Sequence, residues 1–112
     1  MANTGDYGGE CVEYANNYFG SNVKGNGSQW YNSSSVTQLD EIQSGCVACW
    51  SGGPGNYGHV GVVEEWNGKT MTYSDSNYGF DHLVIVRKKL TEAGMKRLFG
   101  SKFTFQGYVI PD

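Results

Sequence analysis

The sequence is poor in cations, in cysteine and in long apolar runs, and each shortage argues against a class of protein. Lys and Arg number 8 against 11 Asp and Glu, so the formal charge is −3. Nucleic-acid-binding surfaces need clustered cations, and we therefore expect no nucleic-acid partner. No apolar run approaches the ~20 residues that span a bilayer, so we expect no membrane span. The 3 cysteines are an odd number, which argues against a scaffold closed by disulfides.

Glycine, by contrast, is abundant. The 17 glycines favour tight turns and irregular loops over a helical bundle. Two loop-like stretches, residues 20–35 and 51–58, are rich in Gly, Asn and Ser. The length of 112 residues fits one compact domain, so we expect residues 1–112 to fold as a single unit.

The hydrophobic pattern predicts an α+β fold. The spacing of apolar residues indicates a helix over 10–19, a short amphipathic turn or helix over 36–42, and a short helix over 91–98. Apolar or alternating runs predict strands at residues 46–50, 59–66, 70–76, 83–86 and 103–109. A helix followed by an antiparallel sheet is typical of the α+β class.

Cysteine and histidine stand where nucleophilic chemistry would need them. Cys11 lies at the start of the first predicted helix, where unshielded backbone N–H groups stabilise a thiolate. His59 opens a strand directly after a glycine-rich loop, and Asp75 and Asn77 alternate onto one face of the next strand. This order supplies a nucleophile, a base and two side chains that could orient the base. The alternative is that Cys11 is a small core residue and His59 a structural one, as each is more often when taken alone.

The hairpin between the two strands must have an unusual register for this chemistry to work. A two-residue turn at Asn67-Gly68 would send Asp75 to the face opposite His59. A three-residue loop would pair Trp66 with Thr70 and set His59 opposite Asn77, with Asp75 as its diagonal neighbour. We therefore predict an odd loop or a β-bulge in this hairpin.

Three blocks of the sequence resemble the signature segments of the CHAP family, the cysteine, histidine-dependent amidohydrolases/peptidases. They are GECVEYA at 9–15, GHVGVVE at 58–64 and SDSNYG at 74–79. The resemblance implies a papain-like fold, with an N-terminal helix that carries the cysteine packed on an antiparallel sheet that carries the histidine. It also implies cleavage of peptidoglycan, as by phage endolysins and bacterial cell-wall hydrolases. The bond would be that of an N-acetylmuramoyl-L-alanine amidase or of an endopeptidase.

The same resemblance implies residue roles. Cys11 is then the nucleophile, His59 the general base, and Asp75 and Asn77 the side chains that orient the imidazole. The chain departs from the family pattern in having Glu10 where Gln is usual, Asp75 where Glu is more common, and Cys46 where the family normally has Asp. An ionised Glu10 has no proton to donate to an oxyanion, so it either hinders the site or points away and caps the helix start.

Several aromatic residues are candidates for substrate binding. Trp30, Tyr57 and Tyr78 could line a groove for a glycan or peptide, although core packing is the more common role of any single aromatic residue. His82 follows an apparent loop and is expected to be a solvated or capping residue.

No metal is required for the chemistry that these residues suggest, and we expect no cofactor. Some relatives bind calcium just before the cysteine, which makes Asp6 and Glu13 weak calcium candidates. Cys46 and Cys49 form a C-x-x-C, but no second pair follows, and on a strand the two side chains point to opposite faces. Two buried strand cysteines are the simpler interpretation.

Peptidoglycan is the partner that the resemblance implies. Targeting to the wall would then come from a separate wall-binding domain or subunit, or from the catalytic surface itself. The first residues lack the basic head and apolar stretch of a signal peptide, so action at the wall implies release by phage lysis or a trimmed N-terminus. Two alternatives stay open: a weakly active or inactive wall-binding module, and an effector amidase of the same superfamily.

Overall fold

The computed structural model describes residues 2–112, and within that range it forms an α+β fold around one antiparallel sheet. The α-helices are α1 (Cys11–Phe19), α2 (Gly27–Trp30) and α3 (Glu92–Lys96), and a short 3-10 helix covers Pro54–Asn56. The strands are β1 (Val36–Leu39), β2 (Cys46–Gly52), β3 (His59–Trp66), β4 (Thr70–Ser76), β5 (Val84–Thr91) and β6 (Phe103–Pro111). Their order across the sheet is β1-β6-β2-β3-β4-β5. The expected α+β class is confirmed.

Helix α1 has a clear local reason to begin and end where it does. Glu10 has extended backbone angles at the N-cap, and its N–H donates to the Glu13 carboxylate at 3.1 Å. Gly20 ends the helix in the left-handed conformation, at φ 64°, which glycine adopts without steric cost. The buried face of the helix carries Tyr14 and Ala15 and packs on β3 and β4. Cys11 is thereby held as the first helical residue over the centre of the sheet.

Both faces of the sheet are covered, which explains why the first five residues of β2 and of β3 are all buried. Val47 and Cys49 of β2 face the core shared with α1 and α2. Cys46, Ala48 and Trp50 alternate to the other face, where they pack with Met95, Phe99 and Tyr108. The expected pair of buried strand cysteines is confirmed. The three cysteines, all within the described residues, are free thiols.

Three expectations about secondary structure are wrong in part, and one is the expected loop 51–58, which contains the end of β2 and the 3-10 helix Pro54–Asn56. The stretch 36–42, expected to be a turn or helix, contains strand β1, because Val36–Leu39 pairs with the last residues of β6. That pairing with a distant segment overrides the local amphipathic pattern. The stretch 20–35, expected to be a loop, contains helix α2, whose N-cap Asn26 donates its N–H to Gln29 Oε1 at 2.9 Å.

The β3–β4 hairpin contains a register shift that places His59 and Asp75 on one face, although its turn differs from the predicted one. Trp66 pairs with Met71, so the predicted pairing of Trp66 with Thr70 across a three-residue loop is wrong. The broader prediction of an odd loop or a β-bulge is confirmed through the bulge, because the register shifts by one residue between Val63 and Glu65. Beyond the shift Val62 pairs with Ser74, and the same register continued sets His59 opposite residue 77.

Candidate active site

A buried histidine–carboxylate pair lies where β3 begins and β4 ends. His59 Nε2 is 2.9 Å from Asp75 Oδ2, and the two residues are 3% and 1% exposed. The geometry follows from the bulge, which makes Asp75 the diagonal neighbour of His59 on one face. Because Nε2 is directed at the carboxylate, Nδ1 is the ring nitrogen left for another partner.

Cys11 lies at the same cavity as the imidazole. It is half-buried at the first position of α1, and both Cys11 and His59 line one cavity of about 760 Å³. The first backbone bond of the helix runs from Tyr14 N–H to the Glu10 carbonyl, at 2.9 Å. The N–H groups of the residues before Tyr14 therefore have no carbonyl partner within the helix and present a positive end to the thiol.

The environment favours a protonated His59. Burial of the imidazole by itself lowers its pKa, but hydrogen bonds and negative charge from Asp75 and Cys11 outweigh burial and raise the pKa of His59 to about 9. A cationic imidazole bound to a carboxylate can give a proton to a leaving group, which is the role of the histidine in cysteine-dependent hydrolysis.

Aromatic rings fix the position of the imidazole. Phe99 packs edge-on at 4.8 Å between ring centroids, and Tyr78 does so at 5.6 Å. Trp50, which pairs with His59 across β2 and β3, lies at 6.2 Å. These contacts leave the ring little freedom to turn away from Asp75.

The cavity brings two of the three aromatic candidates to the site. Tyr57 and Tyr78 line it and are 63% and 39% exposed, so both can contact a ligand. Trp30 does not: it is fully buried in the core shared with α1, so its assignment to substrate binding is corrected. The physical reason is helix α2, which packs on β2 and β3 and turns Trp30 inward.

Asn77 lies at the cavity but has a different hydrogen-bond partner from the expected one. Its Oδ1 accepts a hydrogen bond from His82 N–H at 2.9 Å, and its φ is 68°. Asp75 is thus the side chain that bonds the imidazole, and Asn77 closes the turn that follows β4. His82 supports this turn as well, because its carbonyl accepts from Gly8 N–H and its ring stacks on Tyr7.

Two acidic side chains near Cys11 accept hydrogen bonds from backbone N–H groups close by in the sequence. Asp6 Oδ2 accepts from Asn3 N–H at 2.9 Å, and Glu13 accepts from Glu10 N–H. Within residues 2–112 these carboxylates do not join a cluster of three or more His, Cys, Asp or Glu side chains that could hold a metal ion. Glu10 is exposed and lines the cavity beside Cys11.

Sequence reasoning missed the residue that donates a hydrogen bond to the carboxylate of the His59–Asp75 pair. The Tyr73 hydroxyl donates to Asp75 Oδ2 at 2.7 Å, and Tyr73 is fully buried. The signal was present, since residues two apart on a strand share a face and Tyr73 precedes Asp75 by two.

The family model of the CHAP domain matches residues 1–77, a range that contains Cys11, His59, Asp75 and Asn77. No curated protein and no solved structure matches the chain. Among residues 2–112, no helix is long and apolar enough to cross a membrane.

Proposed function

The chain belongs to the CHAP domain family, and from this we propose that it hydrolyses a peptide or amide bond of bacterial peptidoglycan through a thioester on Cys11. The family is a cell-wall amidase and peptidase family, and its members are typically hydrolytic. The observation that carries the proposal is the buried His59–Asp75 pair beside Cys11 at one cavity. We further propose that residues 1–112 act as one catalytic domain with a papain-like arrangement of helix and sheet.

The first half-reaction forms the acyl-enzyme. The Cys11 thiolate attacks the carbonyl carbon, and the N–H groups at the start of α1 stabilise the oxyanion. The C–N bond then breaks as His59 gives its Nδ1 proton to the leaving amine. Asp75 keeps the ring oriented and compensates its positive charge, through the 2.9 Å bond to Nε2.

The second half-reaction releases the acid. Water enters the cavity, His59 takes one of its protons, and the resulting hydroxide attacks the thioester. The C–S bond breaks, the free carboxylic acid leaves, and the proton on His59 restores the ion pair with Cys11. Every proton in this cycle passes through His59 and none through a metal.

Exposed aromatic side chains support a substrate with apolar faces, such as a sugar ring or an alanine-containing stem peptide. Tyr57 and Tyr78 lie on the wall of the cavity, and Phe80, which is 71% exposed, extends it. Aromatic rings stack on the C–H faces of ligands, and the hydroxyl groups of the two tyrosines can stay in water. We propose that this wall holds peptidoglycan and that the protein acts at the bacterial cell wall.

The test is the loss of turbidity of purified cell walls with three proteins: wild type, Cys11→Ala and Cys46→Ala. Cys46 is a fully buried thiol on β2, so its variant controls for the loss of a thiol as such. Wild type and Cys46→Ala should clear the walls, and Cys11→Ala should bind them without clearing. Equal clearing by wild type and Cys11→Ala would refute the enzyme, and binding without clearing by all three would indicate a wall-binding module. Mass spectrometry of the released fragments then identifies the bond, because an amidase and an endopeptidase leave different new termini.

A further inference from the structure

One oxygen of Asp75 accepts two hydrogen bonds in the interior of the protein. Asp75 Oδ2 lies 2.9 Å from His59 Nε2 and 2.7 Å from the Tyr73 hydroxyl. Tyr73 is fully buried and stands two residues before Asp75 on β4, on the same face. The general mechanism requires only the first of these two bonds.

We propose that Tyr73 is a positioning residue, whose hydroxyl holds the Asp75 carboxylate against the imidazole of His59. The proposal depends on the proposed function only for its catalytic readout. Its geometric content concerns three buried side chains and can be tested without a substrate.

The backbone of β3 is shaped to admit this hydroxyl. The phenol of Tyr73 lies against Gly61 of the neighbouring strand β3, and a Cβ at that position would collide with the Tyr73 hydroxyl. Any other residue at position 61 must push the phenol away from its place beside Asp75. The absence of a side chain at Gly61 therefore serves the Tyr73–Asp75 bond.

The residues around Tyr73 keep its hydroxyl protonated, so that it can donate a hydrogen bond. The ring of Trp50 packs edge-on against that of Tyr73, with 6.3 Å between the ring centroids. Arg87 of β5 is the residue that pairs with Tyr73 between the two strands. Burial and the charge of Asp75 raise the pKa of Tyr73 well above its usual 10, so the phenol keeps its proton. The charged and titratable groups that face His59 and Tyr73 are Cys11 from α1, Asp75 from β4, Tyr78 from the turn after β4 and Arg87 from β5.

The direct test replaces Tyr73 by Phe, which removes the hydroxyl and keeps the ring. The titration of His59 is followed by NMR in a His82→Gln background, so that one imidazole is observed. Without the second anchor Asp75 can move away, burial then dominates, and the titration midpoint of His59 should fall by about 1 pH unit. The kcat/KM on cell walls should fall about tenfold, because the imidazole is no longer fixed.

Tyr108→Phe is the matched control. Tyr108 is also buried and also donates to a carboxylate, that of Glu92, but it lies on β6, and β2 and β3 separate it from β4. It should leave the His59 midpoint and kcat/KM unchanged. A midpoint in Tyr73→Phe that stays or rises, or an equal shift in Tyr108→Phe, overturns the proposal.

A measurement on the unmutated protein makes the test independent of folding of the variants. Two protons directed at one oxygen lie close together, so a nuclear Overhauser effect is expected between the Tyr73 hydroxyl proton and the Nε2 proton of His59. If the Nε2 proton is visible and this effect is missing, the proposal is refuted. If instead the effect is present and the walls are not cleared, Tyr73 positions Asp75 and the proposed function is what fails.

Discussion

Replacing Asp75 by Asn should remove a pH-dependent contribution to the free energy of unfolding. Burial lowers the pKa of His59, but Asp75 and Cys11 raise it more, from 6.5 to about 9. A difference of one pH unit corresponds to 1.36 kcal/mol, so the raised pKa is worth about 3 kcal/mol in total. Because the folded protein binds this proton more tightly than the unfolded chain, the contribution is complete below pH 6.5 and is lost as the pH rises towards 9.

Urea unfolding between pH 5 and 8.5 measures the effect, and every protein compared carries Cys11→Ala, because a thiolate on Cys11 in the folded state would add a slope of the opposite sign. The range stops at pH 8.5 because Cys46 and Cys49, whose pKa values are raised by burial, ionise in the unfolded chain at higher pH and add a slope of their own. The Cys11→Ala parent should lose up to roughly 3 kcal/mol of the free energy of unfolding across the range, and the proteins that also carry Asp75→Asn or His59→Gln should lose much less. Equal slopes in the parent and in the protein with Asp75→Asn would refute the assignment of the raised pKa to this pair.

Three further outcomes follow from the site. Iodoacetamide should modify the native protein once, at Cys11, and leave the two buried cysteines of β2 unmodified, as peptide mass mapping would show. His59→Ala should lower kcat/KM by several orders of magnitude, whereas His82→Ala should keep most of the activity; equal losses in two folded variants would contradict the role given to His59. Glu10→Gln should raise kcat/KM if the carboxylate faces the oxyanion, and an unchanged pH–rate profile would assign Glu10 to the helix start alone.

The sequence predicted the central part of the fold because local pattern and tertiary environment agree there. Strands β3 and β4 begin and end where their alternating residues predicted, and α1 ends at the glycine that its pattern indicated. The prediction of secondary structure failed where pairing with a segment distant in the sequence determines the conformation. Strand β1 exists because β6 returns beside it, a contact across about seventy residues that local composition does not encode.

The residues of the candidate site were also predicted only in part. The order of Cys11, His59 and Asp75 along the chain was enough to anticipate that they could meet, since each lies at the end of an element. Trp30 was placed wrongly because an aromatic residue in a polar, glycine-rich stretch looks exposed, whereas the short helix α2 buries it. Asn77 was expected to bond the imidazole, but its backbone conformation turns its side chain to the loop that follows.

The bulge at residue 64 connects the fold to the chemistry. At the closed end of the hairpin, Trp66 pairs with Met71. If this register continued unchanged along the strands, His59 would pair with residue 78, and Asp75 would lie on the opposite face of the sheet. One extra residue in β3 corrects the register by a single step before the strand reaches His59. The bulged residue is Glu64, whose carboxylate has a buried oxygen without a hydrogen-bond partner, so the correction has a cost. Requiring His59 and Asp75 to share a face was sufficient to infer that such a shift exists. Where it would fall depended on the turn, because several combinations of loop length and bulge give the same register at the open end.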